Sequence, residues 1–190
     1  MTKKELRNIY KVKRKELTSS DRLKMDDLML IQLQRLAFED RVQTLLSYWP
    51  LEAQAEPNTH LFTYYLENHI PGVRIAYPVI NFDDASMKAI HVHEETDFVE
   101  NKYNIAEPET GEEIPPIELD LVLVPLLAYD NQGYRVGYGK GYYDRYLQYC
   151  RADVITVGFS YFEPVDKIDD TDQFDVPLNF CITPHKVYEF

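Results

Sequence analysis

The run Leu119-Asp120-Leu121-Val122-Leu123-Val124-Pro125 constrains the fold more than any other stretch of the chain. A half-buried strand alternates apolar and polar side chains, whereas this one is apolar toward both faces, as a central parallel strand is. Such a strand needs cover on both sides, which predicts a single three-layer α/β/α domain, residues 1–190, around a mostly parallel sheet. The remaining pattern supplies the pieces. Thr2 with Glu5, and Thr18 with Asp21, have capping-box spacing and predict helices at about 2–16 and 19–38. Residues 42–49 read as a strand ending at Pro50, residues 58–69 as a helix capped by Asn58 or Thr59, and residues 73–80 and 87–94 as further strands. The proline-bearing acidic stretch 101–118 reads as an exposed connection, residues 141–150 as a helix, 153–159 as a strand and 180–190 as a terminal strand.

Directly after the central strand comes Gly133 to Tyr146, GYRVGYGKGYYDRY, which holds four of the chain's seven glycines and five tyrosines. A strand, glycine loop and helix in that order put backbone N–H groups where an anion can sit. Gly137, Gly139 and Gly141 permit positive φ and close approach to the backbone, while Arg135 and Lys140 bring charge. The expected ligand is a phosphate. The spacing matches neither G-x-x-x-x-G-K-[ST] nor G-x-G-x-x-G, so the loop by itself competes with a tight turn carrying a solvated lysine. Asp144 beside a triphosphate suits a Mg²⁺ ligand, and suits equally a helix-start residue favoured by the macrodipole. Tyr142 and Tyr143 face different sides of that helix start, one free to pack inward and the other to stack on a planar ligand.

Charge narrows the partners. The net charge is −12, yet residues 1–24 carry nine Lys/Arg against three acids while residues 25–190 carry eleven against 29. The overall field opposes nucleic acid and acidic membranes. Lys3, Arg7, Lys11 and Arg14 share one face of the first helix, which taken alone reads as solvated surface. Two cysteines without ligand spacing, no run of 18 apolar residues and no apolar leader lead us to expect a reduced, cytoplasmic protein with no membrane partner; a monomer is the default expectation, for which the sequence carries no signal.

KKELR with Arg14, EPNT, NKYNIAEP and above all DLVLVPLLAYDNQGYRVGYGKGYYDRYL together resemble the 5-formyltetrahydrofolate cyclo-ligase family over nearly the whole chain. The resemblance implies an enzyme that uses ATP and Mg²⁺ to close 5-formyltetrahydrofolate to 5,10-methenyltetrahydrofolate, with phosphorylation of the formyl oxygen and release of ADP and phosphate. It implies Lys3, Arg7 and Arg14 as ATP contacts, residues 135–143 as the phosphate loop including Gly137, Gly139, Gly141 and Tyr143, and Arg135 and Lys140 as the charges that stabilise phosphoryl transfer. It gives Asp144 and Asp175 as metal ligands. Glu56 matches the carboxylate that binds the pterin, with Glu52 as competitor, and Met87 with Tyr142 the pair that sandwiches the folate; Tyr138 joins these substrate contacts. Leu126-Leu127 and Gln173-Phe174 depart from the family pattern.

Two rivals stand beside this reading. A non-catalytic nucleotide or anion sensor would keep the loop without the folate carboxylate. An RNA-binding protein led by the basic helix would show steep salt dependence. His91 and His93 share a strand side but lack a third metal ligand at recognisable spacing, and Trp49 reads as core.

Overall fold

The central strand, Leu121–Val124, shows why a layered fold forms: all four residues are fully buried, with Leu121 and Leu123 in one apolar cluster and Val122 and Val124 in another on the opposite face. The computed structural model describes residues 1–38 and 40–190. In chain order the helices are α1 (Lys3–Glu16), α2 (Ser19–Leu33), α3 (Thr59–His69) and α4 (Tyr142–Leu147). The strands are β1 (Thr44–Leu46), β2 (Arg74–Asn81), β3 (Ser86–His91), β4 (Phe98–Glu100), β5 (Ala106–Pro108), β6 (Glu113–Ile114), β7 (Leu121–Val124), β8 (Ala128–Tyr129), β9 (Arg135–Val136), β10 (Ile155–Phe159), β11 (Phe180–Ile182) and β12 (Val187–Glu189).

Eight strands form one sheet in the order β12-β11-β10-β7-β1-β2-β3-β6. Its five middle strands, β11 to β2, run parallel; β12 at one edge and β3 at the other run against them, and β6, antiparallel to β3, points the same way as the middle five. Helices α2 and α3 cover one face through Met29, Leu33, Phe62 and Leu66, and α4 covers the other through Tyr146 and Leu147. Each buried Leu or Phe of this kind contributes about 1.5–3 kcal/mol of transfer free energy. Helix α1 joins neither layer. It packs Leu6 and Tyr10 on Leu127, Ala128, Val136 and Ile168, beyond the carboxyl ends of the strands.

The expected boundaries hold for α1, whose Thr2 and Glu5 form the reciprocal capping box, and Thr18 caps α2 through the Asp21 N–H at 3.1 Å. Helix α2 stops at Leu33 rather than 38, because Phe38 and Val42 turn into the same core as Leu33. Neither Asn58 nor Thr59 caps α3 with its side chain; the Thr59 hydroxyl is donated instead to the Tyr48 carbonyl at 2.7 Å. Helix α4 is shorter than expected, and residues 180–190 form a hairpin of two strands rather than one. The stretch 101–118 is not simply exposed: it contains β5 and β6 and buries Glu107 and Ile114. Among the described residues no helix is long and apolar enough to cross a membrane.

Candidate active site

A cavity of about 550 Å³ opens at the carboxyl ends of β1, β2 and β7, where α1, the segment before α3 and the glycine loop converge. Of the site residues that the family resemblance implies, all line it except Arg14 and the competitor Glu52. Two ends are chemically distinct. One is cationic and built from α1 and residues 135–144, with the Tyr103 ring 5.9 Å from Lys140 Nζ; the other is aromatic and apolar, with Trp49, Met87, Ile80 and Pro78, and holds Glu56.

At the cationic end, α1 turns its charged face inward. The Arg7 Nε donates to the Gly137 carbonyl at 2.9 Å, and Lys3 Nζ meets both oxygens of Asp175 at 2.6 Å. Half of the stripe that reads as solvated surface in isolation, Lys3 and Arg7, is therefore cavity wall, while Lys11 and Arg14 do not line it. Gly139, at φ +88°, takes a conformation that side-chain-bearing residues rarely adopt, and a Cβ there would come within 3.2 Å of the Arg7 guanidinium. The glycine thus lets α1 seat on the loop. Arg135 is buried, donates to the Val176 carbonyl and pairs with Asp144 at 3.0 Å. Burial lowers its proton affinity, while the paired Asp144 and then the nearby charge of Asp175 raise it again. Lys140 is exposed and, like Arg7, forms no ion pair among the described residues.

At the other end, Glu56 is 7% exposed and accepts from the Tyr138 hydroxyl at 2.6 Å and the Leu51 N–H at 2.7 Å. Burial pushes its carboxyl above the usual range, against the opposing pull of the Leu51 and Tyr138 hydrogen bonds and of Arg14. Glu52 lies on an exposed turn and does not line the cavity, whereas Glu56 does. Met87 and Tyr142 both line the walls. Arg14 is placed differently from the expectation of a nucleotide contact: it is 1% exposed beneath the loop, because its side chain runs under Tyr138 to the Leu126 carbonyl.

Trp49, read as core, stands at the cavity wall with its ring 4.9 Å from that of Phe98 and 4.5 Å from that of His60. Glu107 and Tyr103 also line the cavity, and Glu107 fixes the wall by accepting from the Ile80 N–H at 3.0 Å and Asn101 Nδ2 at 2.8 Å. The signal available for these two was their place in NKYNIAEP, which carries no polarity pattern of its own. Leu126 and Leu127 serve packing: Leu126 lies over Gly158, and Leu127 joins the α1 cluster. His91 and His93 stack edge to face at 4.3 Å, and among the described residues no group of three or more His, Cys, Asp or Glu converges as a metal cage.

A layered α/β domain with a glycine loop, converging cations and an adjoining aromatic slot at the carboxyl ends of its strands has the architecture of a small-molecule enzyme site. The family model described as the 5-formyltetrahydrofolate cyclo-ligase family matches residues 1–184, and the chain belongs to that family. It is 32% identical over 124 residues to the 5-formyltetrahydrofolate cyclo-ligase of Escherichia coli K12, covering 63% of this chain and 68% of that one. The Mycoplasma genitalium enzyme of the same name is 26% identical over 181 residues, 94% of this chain and 97% of that one. In structure it resembles the Aquifex aeolicus 5,10-methenyltetrahydrofolate synthetase, with a TM-score of 0.81 and 27% identity over 100% of this chain and 93% of that one.

Proposed function

We propose that this chain closes 5-formyltetrahydrofolate to 5,10-methenyltetrahydrofolate at the expense of ATP, releasing ADP and phosphate. The observation that carries the reading is the continuity of one cavity, which joins a buried carboxylate in an aromatic slot to a cationic glycine loop. A formyl group on nitrogen is an amide, and its oxygen leaves only once it has been made into a better leaving group. In the first step the formyl oxygen attacks the γ-phosphorus, forming one P–O bond as the bond to ADP breaks, and the carbon becomes an iminium. The neighbouring anilino nitrogen then adds to that carbon and loses its proton, and the C–O bond breaks to expel phosphate. Positioning and charge stabilisation supply most of what such a transfer needs.

Lys140 and Arg7, free of carboxylate partners among the described residues, are suited to the phosphates, with Lys3 and the loop N–H groups of 137–141 beside them. Arg135, held by its ion pair with Asp144, faces the transferring group as the stabilising charge. Asp144 and Asp175 would serve a magnesium ion: one or two carboxylates completed by phosphate oxygens is a donor set that magnesium accepts. Bound there, the ion would offset negative charge on the triphosphate. Glu56 offers acceptor oxygens to the pterin's N–H edge, and Met87 with Tyr142 flank the ring.

The test mixes protein, ATP, Mg²⁺ and 5-formyltetrahydrofolate and follows the near-ultraviolet absorbance of the methenyl product. Product that depends on both substrates supports the reading. Nucleotide binding with no product overturns it in favour of a sensor.

A further inference from the structure

Arg14 heads the largest fully buried side chains of the protein, yet it makes no direct ion pair among the described residues. A guanidinium removed from water requires compensation from somewhere. Nη1 donates to the Tyr138 hydroxyl at 3.1 Å and Nη2 to the Leu126 carbonyl, while Nε has no hydrogen-bond partner among the described residues. Because Arg14 can only donate, the phenol oxygen must accept, and its one hydrogen is left for Glu56 Oε1 at 2.6 Å. Accepting from a cation strengthens that O–H as a donor. Glu56 Oε2 is meanwhile held by the Leu51 N–H at 2.7 Å, so both oxygens are anchored and their remaining lone pairs are left for a ligand.

The same tyrosine belongs to the phosphate loop. It sits between Gly137, whose carbonyl accepts from Arg7, and Gly139, over which the Arg7 guanidinium lies. Cation, phenol and carboxylate thus form one chain from α1 through the loop to the segment before α3. We propose that Arg14 is a positioning residue: acting through the Tyr138 hydroxyl, it fixes Glu56 at the folate end of the cavity and ties that carboxylate to the phosphate loop. At 1% exposure it has no surface to offer a nucleotide directly. The inference rests on the folate reading of Glu56 given above.

The test is a double-mutant cycle of Arg14→Met and Tyr138→Phe, with Arg14→Lys as the conservative variant and Glu56→Gln as reference. It reads KM for 5-formyltetrahydrofolate, KM for ATP and kcat separately. Each single change is expected to raise the folate KM about tenfold, the loss of one hydrogen bond to a charged group. KM for ATP should stay within about twofold, the double variant should be no worse than either single, and Arg14→Lys should recover part of the loss. A merely structural role would lower the active fraction and kcat without this selectivity. Additive effects, or an Arg14 change that moves the ATP KM and spares the folate KM, overturn the proposal. If Arg14→Met fails to fold, Arg14→Lys takes its place in the cycle and the same comparisons apply. Should Glu56→Gln bind 5-formyltetrahydrofolate as the wild type does, the folate reading itself fails and the proposal with it; should Glu56→Gln weaken binding while the Arg14 and Tyr138 variants do not, the positioning proposal alone is lost.

Discussion

Lys140 is the cleanest residue on which to examine the chemistry, because it is exposed and forms no ion pair among the described residues. Lys140→Ala should fold with unchanged stability and lower kcat by about 100- to 1000-fold, the usual cost of losing one preorganised charge on a reacting group. Stopped assays of product formation alongside a melting curve decide it, and an unchanged kcat removes the assigned role. Asp144→Asn keeps an acceptor for Arg135 and the Val176 N–H while losing the charge, so it should separate a metal role from a packing role: folded protein with turnover reduced and Mg²⁺ dependence weakened. Glu56 gives a pH signature. Burial raises its pKa, so it protonates sooner than an ordinary carboxyl as pH falls, and a protonated Glu56 accepts fewer hydrogen bonds from the pterin. On the acid side kcat/KM for the folate should therefore fall, and Glu56→Gln should start lower and lose that limb; identical pH profiles would count against Glu56. Lys140 and Asp144 stand out in the sequence because charge and glycine cluster in one short loop, whereas Glu56 carries no such local signal and is marked only by the family resemblance of EPNT. Arg14 was legible as a cation but not as a buried one, since four residues on a helix face look the same whether that face meets water or a loop more than 100 residues away.

At the scale of elements, the central strand declared itself through four apolar residues in a row, and α1 through its capping box, because both signals are local. Helix α2 ran past its true end in the sequence reading because no glycine or proline marks it; the stop is set by tertiary packing of Phe38 and Val42. The short strands β5 and β6 were hidden in an acidic, proline-bearing stretch for a similar reason: two or three residues pair only because β4 and β3 are already there. One contact between elements has a pH consequence. Asp26 on α2 accepts from the Tyr161 hydroxyl at 2.9 Å and the Asn58 N–H at 3.3 Å, and burial raises its pKa to about 6 despite both bonds. Between pH 3.8, its ordinary value, and about 6 the folded protein keeps a proton that the unfolded chain has released. Stability from this group is accordingly lost as pH rises through that window and stays lost above it. Asp26→Asn preserves an acceptor without the charge and should stabilise the protein at pH 7.5 by about 1–2 kcal/mol, allowing for solvent screening, with the gain vanishing near pH 4. Urea titrations of both proteins at the two pH values measure it; a gain independent of pH would mean that Asp26 does not titrate there.

For the whole molecule the governing fact is a negative protein that must admit negative substrates. With a net charge of −12, the far field repels a triphosphate, and attraction has to come from cations within reach of the cavity. Most of the N-terminal excess of charge rides on α1, which is tied down at its start: the terminal amine meets Asp169 at 2.6 Å, the Lys3 N–H meets Asp170 at 2.6 Å and Lys3 Nζ meets Asp175. These are mostly exposed contacts, each contributing little in water, so α1 is held chiefly by Leu6 and Tyr10 and by Arg14. A nucleotide bridging Lys3 and Arg7 to the glycine loop would then fasten α1 to the rest of the domain and stabilise the fold by mass action, about 2.7 kcal/mol at a hundredfold excess over Kd. For a domain of this size that corresponds to a rise in Tm of about 5–10 °C with a non-hydrolysable ATP analogue. Lys3→Ala with Arg7→Ala should abolish the rise while leaving most of the separate shift produced by 5-formyltetrahydrofolate, because the folate end draws on Glu56, Trp49 and Met87 instead. Differential scanning fluorimetry of the two proteins with each ligand alone reads both effects, and a full nucleotide shift in the double variant would show that the triphosphate is gripped without α1.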